Sequence, residues 1–537
     1  MIKAFIKSSF FALMLCAAFV QLNAQTSITI KDGEKWYGGA VNDAHLMPFK
    51  EGYSLDMHGE TRGNQAVPLL VSTKGRFIWS EEPFKFAFKN NSLIISNSTS
   101  ELTIDSAGKN LGDAFSNASK RFFPSKNVLP DMLLFSKPQY NTWIELVYNQ
   151  NQKDVLSYAR AIIDNGFSPG VIMIDDNWAD YYGRFDFRKD RFADAAGMMD
   201  SLHQMGFKVM LWVSPFVSPD TEVFRELLAK KLLLFTNGGK AELTWSKADN
   251  PAVISWWNGY SAVMDFTNPE AKTWFTGRLN YMMDKYHIDG FKFDAGDADF
   301  YPAYAVSFLK ASPNEHSRLW GEIGLSFPLN EYRAMWKMGG QPLVERLRDK
   351  KHTWEDLQKL IPHITVAGLL GYQFTCPDMI GGGEFGSFRD GGKLDEELIV
   401  RSAQCSALMP MMQFSVAPWR VLSKTNLEIV KQTVELREKY TPYIIQLAKK
   451  SASTGEPIVR SMEYLFPGQG LSEVKGQFML GEKYLVAPVL SKEKVSDIYL
   501  PKGKWRDDKG KIWKGPCRIR KLVELDKLPV YELINKT

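Results

Sequence analysis

A nine-residue segment carries the side chains best suited to chemistry: Asp289-Gly-Phe-Lys-Phe-Asp294-Ala-Gly-Asp297. If residues 291–294 form a β-strand, the two phenylalanines share one face, while Lys292 and Asp294 share the other. A carboxylate at a strand end beside a lysine stays ionised at neutral pH, which suits a nucleophile. The same pattern is also typical of a buried Lys–Asp ion pair, and the segment alone leaves both interpretations open.

A carboxylate nucleophile suggests acetal cleavage, which requires a second carboxyl group. One group protonates the departing oxygen, and the other meets the positive charge that develops on the sugar carbon. A separation of about 5–5.5 Å between the two groups gives retention of configuration, and about 6.5–9.5 Å gives inversion. The sequence does not define this distance.

The middle of the chain has the pattern of a β/α barrel. From Asn141 onward, apolar β-like runs alternate with amphipathic helical stretches, which predicts parallel strands joined by crossover helices. We therefore expect an α/β protein with a (β/α)8 TIM-barrel catalytic domain at residues 136–450. The carboxyl ends of barrel strands meet at one mouth, so polar and aromatic residues at these ends are catalytic candidates. The predicted strands begin at Trp143, Val171, Lys208, Ile288 and Leu319, and a helix is predicted to end at Gly206.

The sequence on both sides of this region has the pattern of small β domains. Short alternating runs broken by Gly, Asn, Ser and Asp, such as Phe84-Lys-Phe-Ala-Phe-Lys, predict an N-terminal β-sandwich at residues 25–135. After about Ser451 the chain returns to short strands and turns, as in Tyr484-Leu-Val-Ala-Pro-Val-Leu. We expect a C-terminal β-sandwich domain at residues 451–537.

The composition excludes several classes of protein. Of 537 residues, 45% are hydrophobic and 24% are charged, which excludes a disordered, collagenous or polytopic membrane protein. A formal charge of only +5 offers no field for binding nucleic acid. With 7 His, 4 Cys and no paired Cys or His motif, neither a metal nor a cofactor is expected. Aromatic residues make up 13% of the chain, a level that fits either a large core or sugar-stacking surfaces.

The first 24 residues have the pattern of a secretory signal peptide. Lys3 and Lys7 precede an apolar run at Phe10–Val20 that is too short to span a bilayer, and small or polar residues lead to Ala24. We expect cleavage near Ala24 and export to the periplasm or the medium, with no stable membrane span. A retained membrane anchor is the alternative. The oligomeric state is not evident from the sequence.

The Asp289–Asp297 segment resembles the nucleophile strand of glycoside hydrolase family 31, which contains α-glucosidases and α-xylosidases. Further blocks follow the family's order between about Trp143 and Trp505. The resemblance implies that Asp294 is the nucleophile of a retaining glycosidase whose partner is an oligosaccharide or glycoside substrate. The blocks are Trp256-Trp257-Asn-Gly, Asp265-Phe-Thr-Asn-Pro-Glu, Pro377-Asp378-Met-Ile-Gly-Gly, Met409-Pro-Met-Met-Gln-Phe-Ser and Thr454-Gly-Glu-Pro-Ile-Val-Arg.

The resemblance also implies an acid/base residue. In that family it is commonly an Asp five residues before a Trp, or a similar residue, that opens the next helix, and Asp349 stands in that relation to Trp354. The family places a sugar-binding Arg sixteen residues before the acid/base, and Arg333 occupies this position. Without the resemblance, the segment around Asp349 would be interpreted as a solvated charged turn.

Further sugar contacts are implied by matching block to block. Asp175, with Asp176 as a close alternative, resembles the strand-end Asp that binds ring hydroxyls. Trp212 and Trp257 resemble aromatic walls of the pocket, although either residue could equally be a core residue. The remaining implied contacts are Lys292 and Asp378.

Departures from the common motifs bear on the sugar. Gly296-Asp297 stands where Gly-Glu is common, Arg348-Asp349 where Gly-Asp is usual, and Pro377-Asp378 where His-Asp is usual. These variants resemble a branch that contains the mammalian myogenesis-regulating glycosidase and bacterial relatives, and that branch is associated with α-galactosidase activity. The resemblance therefore implies an α-galactosidase. The alternatives are an α-glucosidase or α-xylosidase of the same fold, or a sugar-binding barrel without turnover.

Overall fold

The computed structural model describes residues 25–236, 250–388 and 394–536. The predicted signal peptide lies outside the described residues. Among the described residues, no helix is long and apolar enough to cross a membrane.

Two small sheets precede the barrel. The first has the antiparallel strand order β1-β7-β6-β3, and the second contains β2, β4, β5 and β8. In β6 the phenylalanines are buried and the flanking lysines are exposed, so the alternating sequence produces a half-buried sheet. These strands are β1 (Thr26–Thr29), β2 (Trp36–Ala40), β3 (Ser54–Asp56), β4 (Gln65–Ser72), β5 (Arg76–Trp79), β6 (Lys85–Lys89), β7 (Ser92–Ser96) and β8 (Thr103–Ser106).

Eight parallel strands form the TIM barrel, as predicted. They follow one another around the barrel in chain order, and the last pairs with the first. The seam between the seventh and eighth strands is bridged by the amide of Ile380, which donates to the carbonyl of Gln413 at 2.9 Å. The strands are β9 (Gln139–Asn141), β10 (Val171–Ile174), β11 (Lys208–Val213), β16 (Gly290–Phe293), β18 (Asn330–Tyr332), β20 (Glu345–Arg346), β21 (Thr375–Cys376) and β22 (Gln413–Phe414).

Several shorter strands lie outside the eight-stranded barrel sheet. A three-stranded sheet in the order β12-β15-β14 follows the third barrel strand. Strand β19 pairs in parallel with β4 and so ties the N-terminal sheet to the barrel. These strands are β12 (Phe216–Val217), β13 (Phe235–Thr236), β14 (Val253–Trp256), β15 (Gly259–Val263), β17 (Ala305–Val306) and β19 (Met335–Trp336).

The long helices that surround the barrel begin at well-defined caps. Each begins after an Asn, Asp, Ser or Thr whose side chain accepts a hydrogen bond from a backbone N–H of the first turn. These helices are α4 (Gln152–Asp164), α5 (Ala195–Gln204), α6 (Glu222–Ala229), α7 (Pro269–Tyr286), α8 (Pro313–Ile323), α9 (Trp354–Leu369), α10 (Glu396–Ala407) and α12 (Lys424–Thr454). The other helices are α1 (Leu111–Phe122), α2 (Leu133–Ser136), α3 (Trp143–Leu146), α11 (Pro418–Val421) and α13 (Met462–Leu465).

Two predicted strands are helices in the structure. Trp143–Leu146 forms α3, and the first barrel strand lies just before it at Gln139–Asn141. The run beginning at Leu319 lies in α8, and the next barrel strand begins only at Asn330. Short apolar runs suit a buried helix as well as a buried strand, which explains both errors. The predicted helix end is close, since α5 ends at Gln204 and Gly206 adopts φ +89°.

The chain ends in a six-stranded antiparallel sheet with the order β23-β24-β25-β28-β26-β27. Its own apolar cluster includes the buried residues Trp505 and Tyr531. Arg401 of α10 attaches this sheet to the barrel by donating to the carbonyls of Val523 and Lys527 at 2.8 and 3.2 Å. The strands are β23 (Val459–Arg460), β24 (Phe478–Leu480), β25 (Tyr484–Val486), β26 (Val495–Arg506), β27 (Ile512–Leu522) and β28 (Val530–Asn535).

Candidate active site

A cavity of about 300 Å³ opens at the carboxyl ends of the barrel strands. Eight of the nine predicted site residues line it; only Asp378 does not. The predicted residues that line it are Asp175, Asp176, Trp212, Trp257, Lys292, Asp294, Arg333 and Asp349. The others are Trp143, Tyr148, Arg346, Met379, Gly383, Glu384 and Phe385.

Asp294 directly follows β16 and is held by three donors or charges. The indole N–H of Trp212 donates to its Oδ2 at 2.8 Å, and the amide of Ala295 donates to its Oδ1 at 2.8 Å. The Nε of Arg333 lies 3.0 Å from Oδ1. Burial raises the pKa of Asp294, but the positive charges of Lys292 and Arg333 outweigh it, so the pKa lies below its ordinary value. Asp294 is therefore ionised at neutral pH, as a nucleophile must be.

Lys292 lies on the same face of β16 as Asp294, but its ion-pair partner is Asp175. Its Nζ lies 2.6 Å from Oδ2 of Asp175, and both side chains are almost fully buried. Burial lowers the pKa of Lys292, and the charge of Asp175 more than compensates, so that the pKa is raised. The sequence left a nucleophile and a buried Lys–Asp pair open as alternatives. The structure pairs Lys292 with Asp175, which directly follows β10, and leaves Asp294 in contact with Trp212 and Arg333, so the ion pair within the segment is not formed.

Asp349 lies three residues after Arg346 and is hydrogen-bonded to it. The guanidinium Nη1 of Arg346 donates to Oδ1 of Asp349. Burial raises the pKa of Asp349, but Arg346, Lys292 and Arg333 overcome this and hold the pKa well below its usual range. About a third of the Asp349 side chain remains exposed to the cavity. Helix α9 begins at Trp354, five residues later.

Asp378 lies behind Arg346 rather than on the cavity wall. Its Oδ1 accepts from Nη1 of Arg346 at 3.1 Å, and its Oδ2 accepts from the amides of Lys350 and Gly383 at 2.5 and 3.0 Å. The side chain is 1% exposed. Both oxygens are therefore engaged by protein donors, so the sugar contact inferred from the sequence does not follow from this placement. Burial and the charge of Asp349 raise the pKa of Asp378 to about 6.

Arg333 connects the nucleophile to an aromatic side chain. Besides its contact with Asp294, its Nη2 donates to Asp297, and its guanidinium carbon lies 4.7 Å from the ring centroid of Trp257. Trp257 is 44% exposed, so one surface of the indole remains open toward the cavity. The Arg therefore fixes the orientation of the nucleophile and of a surface on which a sugar ring could stack.

Another part of the cavity lining places the carboxyl group of Asp176 among aromatic side chains. Oδ2 of Asp176 accepts from the hydroxyl of Tyr182 at 3.0 Å and from the side-chain amide of Asn258, while its buried Oδ1 has no hydrogen-bond partner among the residues that the structure describes. Burial and the neighbouring Asp175 raise the pKa of Asp176 to about 7. Trp212 stacks with Trp256 at 6.4 Å between ring centroids. This wall can exchange hydrogen bonds with hydroxyl groups and can pack against apolar C–H faces.

Several functional candidates were not identified from the sequence. Arg346 ends β20 and lies three residues before Asp349, so its strand-end position was the available signal. Trp143 packs edge-on against Tyr148 and Phe385 at 5.6 and 5.4 Å, and these three rings flank the cavity. Phe385 lies far along the chain from Trp143 and Tyr148, so no local pattern predicted this cluster.

Within residues 25–236, 250–388 and 394–536, no group of three or more His, Cys, Asp and Glu side chains is arranged to hold a metal ion. The cavity instead combines an ionised Asp294, a second carboxyl group at Asp349 and cations between them. Such an arrangement can stabilise developing positive charge at a sugar carbon and can exchange a proton with a leaving oxygen.

The curated relatives of this chain include two longer proteins. The myogenesis-regulating glycosidase of Mus musculus is 34% identical over 426 residues, covering 77% of this chain and 58% of that protein. An alpha-xylosidase of Emericella nidulans is 26% identical over 511 residues, covering 88% of this chain and 61% of that protein. The chain spans about three fifths of the length of these relatives.

A solved structure shares the fold. The Flavobacterium johnsoniae GH31 dextranase complexed with glucose superposes with a TM-score of 0.81 at 20% identity, covering 95% of this chain and 66% of that chain. The family model for the glycosyl hydrolases family 31 TIM-barrel domain matches residues 134–341 and 346–447. The model for the family 31 C-terminal domain matches residues 455–532. Because these matches extend over more than half of the sequence, the chain belongs to glycosyl hydrolase family 31.

Proposed function

We propose that this protein is an exported, retaining α-glycosidase that hydrolyses terminal non-reducing α-linked sugars, with α-galactosides as its preferred substrates. The observation that carries the proposal is the pairing of two carboxylates with different surroundings in one cavity. Asp294 is held ionised by the charges of Lys292 and Arg333 and by the Trp212 hydrogen bond, whereas Asp349 is partly exposed to the same cavity. One nucleophile and one proton-exchanging group are what a double displacement needs.

In the first half of the proposed reaction, Asp294 attacks the anomeric carbon and Asp349 protonates the departing glycosidic oxygen. The bond from carbon to the leaving oxygen breaks, and a covalent glycosyl–aspartate forms. In the second half, Asp349 takes a proton from water, and the water oxygen displaces Asp294. The released sugar keeps its α configuration because the carbon is inverted twice.

Retention can be tested directly. In proton NMR of the reaction, we expect the α-anomer of the free sugar to appear first and the β-anomer only later, through mutarotation. Initial appearance of the β-anomer would contradict the double displacement. An Asp294→Ala variant is expected to lose turnover by orders of magnitude, and full activity in it would remove Asp294 from the mechanism.

Sugar recognition is assigned to the other polar and aromatic residues that line the cavity. Asp175, Asp176 and Lys292 offer buried polar groups, and Trp212 and Trp257 offer aromatic surfaces. A cavity of this size suits one terminal ring rather than an internal chain segment. The preference for galactose rests on the motif variants at Asp297, Arg348 and Pro377 and on the similarity to the myogenesis-regulating glycosidase.

An α-xylosidase or α-glucosidase is the competing assignment, and the similarity to the Emericella nidulans alpha-xylosidase favours the first of these. The deciding experiment compares kcat/KM for 4-nitrophenyl α-galactoside, α-glucoside and α-xyloside. We expect the galactoside to be the best substrate by at least tenfold. A preference for the glucoside or the xyloside would refute the galactose assignment while leaving the glycosidase proposal intact.

A barrel that binds sugar without turnover is the alternative from another class. Binding of galactose in calorimetry, with no hydrolysis of any of the three aryl glycosides, would favour it. The export proposal rests on the pattern of residues 1–24. N-terminal sequencing of the protein expressed from the full chain in a Gram-negative host should give Gln25 as the first residue, whereas an intact Met1 would contradict cleavage.

A further inference from the structure

Arg346 lies beneath the cavity as a hub for three carboxylates. Its side chain is 1% exposed. The guanidinium lies 3.4 Å from Glu331 through Nε, and its Nη1 is shared by Asp349 and Asp378. The three acids come from β18, from the loop after β20 and from the loop after β21. One cation therefore faces three carboxyl groups with little access to solvent, so the pairing at any moment depends on which acids carry protons.

Nη1 of Arg346 has two N–H groups but three acceptors, namely Asp349, Asp378 and the carbonyl of Leu347 at 3.2 Å, so Asp349 and Asp378 compete for it. Both Oδ1 atoms lie on the same side of Arg346, next to Gly383. A Cβ atom at Gly383 would come within 2.7 Å of Asp378 Oδ1 and 2.9 Å of Asp349 Oδ1, so glycine leaves the space that the pair occupies. The Oδ2 of Asp378 is fixed by two backbone amides. Asp378 therefore cannot leave, whereas Asp349 can turn toward the cavity.

This geometry presents a conflict for the proposed acid. Asp349 must carry a proton when the leaving oxygen departs, yet its hydrogen bond with Arg346 favours the ionised form. The ionised form suits only the second half-reaction, in which Asp349 acts as a base. For the first half-reaction Arg346 needs another counter-ion, because an unpaired buried guanidinium is costly.

We propose that Asp378 is a positioning residue for the acid step: it keeps Arg346 paired when Asp349 releases the guanidinium and becomes protonated. This inference rests on the proposed glycosidase function. Asp378 thereby makes Asp349 a stronger competitor for protons in two ways, by adding negative charge nearby and by drawing the guanidinium away. Burial is the main reason that the pKa of Asp378 is raised, and the negative charge of Asp349 raises it further.

Other charged groups lie near Asp349 and Asp378. The positive charges of Lys292 in β16 and of Arg333, just after β18, lower the pKa of Asp349. The charge of Lys350, the residue after Asp349, lowers the pKa of Asp378. Asp175, Asp176, Asp294 and Glu384 line the same cavity. None of these groups shares a hydrogen-bond donor with Asp349 in the described part of the chain, whereas Asp378 does.

Two substitutions should move the pH profile in opposite directions. In Asp378→Asn, Asp349 is the remaining partner of Nη1 of Arg346 with a negative charge, so the pKa of Asp349 should fall. The basic limb of the kcat/KM profile should therefore move to lower pH by about one unit. Arg346→Gln removes the cation that keeps Asp349 ionised, so the same limb should move to higher pH, and Arg346→Lys should fall between Arg346→Gln and the wild type. General loss of structure would not give shifts of opposite sign.

Leaving-group dependence provides the second readout. Asp378→Asn should lower kcat/KM for methyl α-galactoside at least about tenfold, because a poor leaving group needs the acid. It should change kcat/KM for 2,4-dinitrophenyl α-galactoside by less than about threefold, since that leaving group needs little protonation. Glu331→Gln is the matched control: it removes a charge that also pairs with Arg346, but through Nε. Its ratio between the two substrates should equal that of the wild type.

Thermal unfolding of each variant confirms that the compared proteins are folded. If the wild type is active and the Asp378→Asn variant keeps both the wild-type kcat/KM ratio between the two galactosides and the wild-type basic limb, the role of Asp378 is refuted. The proposed glycosidase function would then still stand. Shifts of the same sign for Asp378→Asn and Arg346→Gln would also refute the role of Asp378. A wild type without activity on any α-galactoside, α-glucoside or α-xyloside would refute the proposed function and this inference with it.

Discussion

The hydrogen bond from Trp212 to Asp294 gives a quantitative prediction. Trp212→Phe keeps an aromatic ring in the cavity wall but removes the indole N–H that donates to Oδ2 of Asp294 at 2.8 Å. A hydrogen bond to a buried carboxylate contributes about 1.5–3 kcal/mol to its ionised form. At about 1.4 kcal/mol per pKa unit, the pKa of Asp294 should rise by about one to two units.

The sign of the effect follows from the role of the residue. The pKa of Asp294 lies below its ordinary value in the wild type, so the ionised nucleophile persists as the pH falls. Raising that pKa makes the nucleophile protonate earlier. The acidic limb of the kcat/KM profile should therefore move up by about one to two pH units, while the activity above this limb changes much less.

The assay is the pH dependence of kcat/KM for 4-nitrophenyl α-galactoside. Trp256→Phe provides the matched control, because Trp256 belongs to the same aromatic stack but its indole donates to Ser261 Oγ at 3.1 Å. An unmoved acidic limb in Trp212→Phe, or an equal shift in both variants, would refute the reasoning that this hydrogen bond sets the pKa of Asp294.

Three further predictions concern catalysis and stability. Asp349→Ala should lower kcat on 4-nitrophenyl α-galactoside by about 10²–10⁴-fold, and azide should restore turnover by replacing water in the second displacement and giving an α-galactosyl azide; absence of that product would count against Asp349 as the acid/base. Gly296→Ala should lower the unfolding temperature strongly, because φ is +73° and the new Cβ would come within 2.0 Å of the buried Trp320 ring. Gly510→Ala, with φ +80° and open space around the new Cβ, should lower the free energy of unfolding by only about 1 kcal/mol. An equal fall in unfolding temperature for the two variants would contradict the steric argument. Arg437→Met should cost at least about 3 kcal/mol in chemical unfolding, because four buried carbonyls at 2.7–2.9 Å lose their donor; a loss below about 1 kcal/mol would show that they find other partners.

Much of the barrel and its chemistry is local in the sequence. The alternation in Phe291–Asp294 determines that Lys292 and Asp294 share a face, because successive side chains of a strand point to opposite sides. The position of a polar residue at the end of a buried strand is also readable, and it places the side chain at the mouth. The family resemblance, rather than local geometry, implied that a helix opens five residues after Asp349, and α9 begins at Trp354. The shared face and the strand-end position depend on backbone geometry within one element.

The partners of these side chains were decided only by the closed barrel. Lys292 pairs with Asp175, Arg346 gathers three acids, and Asp378 turns its oxygens toward backbone amides. Each contact joins residues from different strands or loops, and the choice depends on the register and curvature by which the eight strands close. A linear sequence specifies which charges reach the mouth. The tertiary structure decides which of them meet, because burial leaves each charge only the partners within hydrogen-bonding distance.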